Sequence, residues 1–152
     1  MLPRADLALY GRDGRLIAVV EVKMKLGTSR DWAAQLRRNV LAHGGFQAAD
    51  FFLLVTPDRL YVWKGAGSEP IVVPPAYVID ARPILKPYFE AAQLDPNLIN
   101  GRAFELVVGA WLGDLIRSEK KPEDLSNEEG WLAESGLLSA IKNGRIEYEA
   151  AA

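Results

Sequence analysis

Residues 15–23 read RLIAVVEVK, and no other stretch of the chain restricts its fold as strongly. Side chains on a strand alternate between two faces, so a β-branched run that is apolar at successive positions is apolar on both. Such a strand needs cover from above and below, which places it inside a sheet flanked by other layers. The run closes on Glu21 and Lys23, which alternation puts on the same face as Ile17 and Val19. That face therefore turns from apolar to charged at the end of the strand.

The flanking segments give the strand its neighbours. ADLALY at 5–10 alternates and leads into GRDGR, where Asp13-Gly14 is a hairpin signal. With a two-residue loop, positions whose numbers sum to 27 face each other, and Asp6 stands opposite Glu21. A four-residue loop, Gly11 to Gly14, makes the two acids diagonal neighbours on the same face, within about 8 Å. An odd-length loop without a bulge would put them on opposite faces. Ser29 is placed to cap a helix running through His43, with Trp32, Leu36 and Val40 on one face and Gly44-Gly45 ending it. FFLLVT at 51–56 reads as a second two-sided strand, Pro57-Asp58 as a turn and RLYVWK at 59–64 as the returning arm. IVV at 71–73 reads as a further strand before Pro74-Pro75. From about Asp80 the pattern is helical: ARPILKPYFEAAQ, then a segment whose Phe104, Val107, Val108, Trp111, Leu112 and Leu115 make an apolar face. A last helix is expected from Ser126, with Glu129 completing a capping box, to Asn143-Gly144. The expected class is α/β: a mixed-sheet core over 1–80, and a helical part over 81–152 that packs on the core or forms a dimer surface.

Composition narrows the chemistry. At 152 residues, 49% of them hydrophobic, the chain suits a single domain with a substantial core. It has no cysteine, which removes disulfides, thiol catalysis and thiolate metal sites, and His43 is its sole histidine. Oxygen ligands remain. No apolar run reaches membrane-spanning length and MLPRAD lacks the regions of a signal peptide, so the expected location is the cytoplasm, away from membranes. The net charge of −2 hides an asymmetry: residues 1–64 carry ten Lys/Arg against six Asp/Glu, the remainder eight against fourteen. The basic half, which suits a polyanion, contains Glu21 and Lys23.

Glu and Lys two apart on a strand are by themselves usually a solvated pair. An aspartate converging on that glutamate changes the picture, because two carboxylates at a buried strand's end repel unless a cation sits between them. All-oxygen ligands suit Mg²⁺ or Mn²⁺, and a lysine beside them can reach a bound water or a phosphate oxygen.

RAD at 4–6, followed by EVK at 21–23, resembles the motif of the PD-(D/E)XK nuclease superfamily, also called restriction endonuclease-like. The likeness covers roughly residues 3–64. It implies that Asp6 and Glu21 bind the metal with the backbone carbonyl of Val22, and that Lys23 positions or activates the water. Gln35, twelve residues after the lysine on the next helix, matches a glutamine that supports the site in several branches; the tyrosine that often follows is Asn39 here. Ala5 stands where the family usually has proline. The family core runs α-β-β-β-α-β, and its first helix and strand are not found ahead of Asp6. GRAFELVVGAWL at 101–112 looks like that helix, with Glu105 as a candidate further acid, through permutation or exchange between two chains. Arg4, Lys25, Arg30, Arg37 and Arg38 are candidates for phosphate contacts. The expectation is a metal-dependent nuclease, acting on DNA through a magnesium-bound water and leaving 5′-phosphate and 3′-hydroxyl ends. The alternative is a nuclease-like module without activity that binds nucleic acid or a protein partner.

Overall fold

The computed structural model describes residues 5–44, 49–117 and 121–148. Six strands form one mixed sheet: β1 (Leu7–Tyr10), β2 (Leu16–Val22), β3 (Phe51–Val55), β4 (Arg59–Lys64), β5 (Tyr77–Asp80) and β6 (Arg145–Tyr148). Their order across the sheet is β5-β4-β3-β2-β1-β6. Only β2 and β3 run parallel; the other neighbours are antiparallel. A parallel pair needs a crossover, and helix α1 (Arg30–Gly44) supplies it. Ser29 caps α1, as its position suggested, accepting a hydrogen bond from the Trp32 N–H at 3.1 Å.

The β1–β2 hairpin reaches the expected register by an unexpected route. Its loop is odd: Gly11 N–H donates to the Arg15 carbonyl at 2.9 Å, enclosing three residues, and Gly14 takes φ 85° to close the turn. A bulge corrects the parity. Leu9 pairs with Ala18 but Tyr10 with Leu16, so Ile17 is the extra residue and the pairs beyond it, Ala8 with Val19 and Leu7 with Val20, sum to 27.

Two layers cover the sheet. On one side α1 presses Ala33 onto Val19, Phe52, Leu54, Tyr61 and Trp63. The innermost stripe of α1 is Ala33 and Arg37, with Trp32, Leu36 and Val40 flanking it half-buried; the small alanine lets the helix approach closely. On the other side lie α2 (Arg82–Ala92), α3 (Gly101–Arg117), α4 (Gly130–Glu134) and α5 (Leu137–Ile141). Their apolar faces bury against Leu7, Leu9, Val20, Val22, Leu53 and Val62. The apolar face of α3 is thus filled within the chain.

Three expectations about elements fail. Residues 71–73 form no strand: Ile71 and Val72 are about half exposed, and Pro74-Pro75 cannot donate to a ladder. The chain rejoins the sheet at Ala76, whose N–H donates to the Val62 carbonyl, and continues as β5. The expected last helix is broken. Asn127–Glu129 is a 3-10 turn, and Gly136 at φ 87° separates α4 from α5. Ser126 donates to the Glu129 side chain rather than capping a helix. Finally, β6 joins the sheet beside β1, so the C-terminal part supplies a strand as well as helices. Gly144 permits this, because a Cβ there would run into the Tyr10 backbone oxygen.

Candidate active site

The site grows from the hairpin register. The register ends with Leu7 opposite Val20, and Asp6, just ahead of β1, reaches the end of β2 through its side chain; Glu21 pairs with Leu54, and Leu54 with Tyr61. Glu21, Leu54 and Tyr61 form one row across the sheet on the face covered by α1. The row lies where β2 runs out: Val22 is its last residue, and Lys23 is held by its N–H donating to the Val55 carbonyl at 2.9 Å.

Asp6, Glu21 and Lys23 are brought together, as the sequence suggested. Asp6 is half-buried, and its Oδ2 accepts a hydrogen bond from the Val22 N–H at 2.8 Å. That bond locks the aspartate across the strand pair. Glu21 is 6% exposed. Burial pushes its pKa up to about 8, the negative charge of Asp6 and a hydrogen bond to the Asp6 side chain add to the rise, and the Lys23 ammonium opposes it. At neutral pH Glu21 therefore keeps a proton, held towards Asp6. Lys23 is exposed. It is the cation that acts on Glu21, and alternation places it on the same face.

The donor set fits a hard cation. Two neighbouring carboxylates, one of them buried and its pKa raised chiefly by that burial, are an oxygen pair of the kind that Mg²⁺ or Mn²⁺ uses while keeping several waters. Among the described residues no group of three or more His, Cys, Asp or Glu gathers, so the ion would rest on Asp6, Glu21, the backbone carbonyl of Val22 and water.

The remaining candidates are placed differently. Gln35 lies on the exposed side of α1, and the hydrogen bonds of Glu21 run to Asp6 rather than to it. Glu105 is half-buried near the start of α3, with Arg102 4.0 Å away, and does not join the two acids in a metal-binding group. Lys25, on the β2–α1 connection, and Arg30, the first residue of α1, are exposed at the site's end of the sheet; Lys25 sits over the Trp32 ring at 5.4 Å. Arg38 is exposed two turns further along α1 and donates to Asn39. Arg37 is not a surface cation. It is 1% exposed, lies 5.8 Å from both the Phe52 and Trp63 rings, and donates through Nη2 to the carbonyls of Ala66 and Gly67. The i, i+4 spacing from Ala33 turns it inward, so it ties the 65–67 loop to α1 and faces no phosphate. Arg4 lies outside the described residues.

Two residues outside the motif shape the site. Tyr61, buried in the same row, shares a 2.7 Å hydrogen bond with Thr28, and Asp58 accepts from the Gly27 N–H at 3.2 Å. Together they fasten the loop that follows Lys23. The pairing of Tyr61 with Leu54 across the β3–β4 hairpin was the available signal, since it puts Tyr61 on the Glu21 face.

Comparison with protein-family models, curated proteins and solved structures finds no match. The likeness to the nuclease superfamily thus rests on the motif and its setting.

Proposed function

We propose that the chain is a metal-dependent nuclease of the PD-(D/E)XK type that hydrolyses phosphodiester bonds in DNA. The observation that carries this reading is the convergence of Asp6, Glu21 and Lys23 on one face at the end of a buried strand. The arrangement of elements supports it. Taken in spatial order, α3, β6, β1, β2, α1 and β3 follow the sequence α-β-β-β-α-β, with the first two elements drawn from the C-terminal part. No membrane-crossing helix occurs among the described residues, in keeping with a nucleic-acid substrate.

Asp6 and Glu21, with the Val22 carbonyl, would hold the ion, and Glu21 would give up its proton to do so. A bound Mg²⁺ supplies Lewis acidity, polarising a phosphoryl oxygen and making water a stronger nucleophile. Lys23 aims its ammonium at the attacking water or a non-bridging oxygen, where it offsets developing negative charge. The water oxygen forms the new bond to phosphorus as the bond to the 3′-oxygen breaks. The water gives up a proton to solvent and the departing oxygen takes one up, leaving 5′-phosphate and 3′-hydroxyl ends.

The exposed position of Gln35 and the separation of Glu105 favour a second reading: a binding module with an incomplete site. Incubation of plasmid and single-stranded DNA with Mg²⁺ separates the two. The nuclease reading expects cleavage by the wild-type chain and a loss of about 10²-fold or more in the Lys23→Ala variant. Cleavage that survives unchanged in Lys23→Ala and Glu21→Ala refutes it.

A further inference from the structure

A cavity of about 660 Å³ opens at the same end of the sheet as Lys23, within the size range of sites that enclose small organic groups. Leu26, Pro57, Phe89, Leu94 and Pro96 give it apolar walls. Leu26 belongs to the loop that leaves the candidate site, three residues after Lys23, so their Cα atoms are no more than about 11 Å apart. That upper bound corresponds to the rise of at most roughly three nucleotides along one strand of a duplex. The loop is fastened at this spacing by Gly27 to Asp58 and by Thr28 to Tyr61.

The charges around the cavity decide what it can take. Arg82 forms a two-pronged pair with Asp80, Nε to Oδ1 and Nη2 to Oδ2 at 3.0 Å each. Lys86 lies 3.9 Å from Glu90 on the next turn of α2, and Asp58 is engaged by Gly27 and Thr56. The rim thus carries three acids to two bases, a net charge of −1, with each base paired to an acid, and it disfavours a phosphate. A flat, uncharged group with polar edges suits apolar walls and a rim of paired donors and acceptors.

We propose that this cavity receives an unpaired base of the substrate, one to three nucleotides from the cleaved phosphate. This rests on the nuclease reading and narrows it: a base can enter only where it is not paired, so the preferred substrate is single-stranded, frayed or branched. The backbone is gripped at Lys23, Lys25 and Arg30, and the base turns over the end of the sheet into the cavity on the α2 side, whose rim carries no net positive charge.

The test is binding in EDTA, where no cleavage occurs. Fluorescence anisotropy compares a labelled oligothymidylate with an abasic strand of equal length, on the wild-type chain and on Leu26→Asp. Leu26 is 55% exposed, so this substitution leaves the core untouched. The expected result is roughly tenfold tighter binding of the base-bearing strand, in line with the contribution of one sheltered base. In Leu26→Asp that preference vanishes while the abasic strand binds as before. Equal binding of both strands by the wild type, or equal loss on both in the variant, overturns the cavity's assignment and leaves the nuclease reading standing. If neither strand binds, the nuclease reading itself falls, and the cavity proposal with it.

Discussion

Glu21→Gln is expected to stabilise the metal-free protein at alkaline pH and to change little at acidic pH. Glu21 has a folded-state pKa raised from 4.5 to about 8, chiefly by burial and then by Asp6. A raised pKa means that the folded state binds the proton more tightly than the unfolded chain. The stabilisation is therefore complete below about pH 4.5 and is lost as pH climbs through about 8. At 1.36 kcal/mol per pKa unit the full swing approaches about 5 kcal/mol, a large share of the stability of a domain this size. Relaxation around the charged carboxylate reduces the observable part to roughly 2–4 kcal/mol. Glutamine keeps the shape of the protonated acid, and its amide can still donate to Asp6. Urea unfolding in EDTA at pH 5 and pH 8, compared between wild type and variant, isolates the Glu21 contribution, because every other titrating group is common to both. The two proteins should agree within about 1 kcal/mol at pH 5 and diverge at pH 8 with the variant more stable. A variant that is less stable at pH 8, or a difference that does not depend on pH, would refute the reasoning.

Arg37→Ala should cost about 2–4 kcal/mol in unfolding experiments, since it empties a site between Phe52 and Trp63 and unties the 65–67 loop. It should leave the salt dependence of DNA binding unchanged, whereas Lys25→Ala and Arg30→Ala should each shallow that dependence; a shallower slope for Arg37→Ala would place its guanidinium at the DNA after all. Gly144→Ala forces β6 away from the Tyr10 backbone and should cost about 1–3 kcal/mol, read as a lowered thermal midpoint. An unchanged midpoint would mean that β6 does not dock where described.

The elements that carry the site were legible because local signals determine them. The two-sided apolar run of β2, the capping serine of α1 and the Pro57-Asp58 turn each act over a few residues. The facing of Asp6 and Glu21 was legible only conditionally. It depends on the parity of a loop plus a bulge, and a bulge at Ile17 leaves no mark in an apolar run. Strand β6 was missed for a different reason: RIEY is short and half polar, and its partner lies more than a hundred residues earlier in the chain. Arg37 shows the limit of reading charge as surface. On a helix packed by alanine, an arginine one turn later has room to fold inward between aromatic rings.

The central claim is that Asp6 and Glu21 hold a divalent cation beside Lys23. Isothermal titration of Mn²⁺ at pH 7, in two buffers of different ionisation enthalpy, tests it most directly. One ion should bind per chain with release of the proton that Glu21 holds, and Glu21→Gln should abolish both the binding and the release. Binding without proton release, binding that survives in Glu21→Gln, or no binding to the wild type would contradict it.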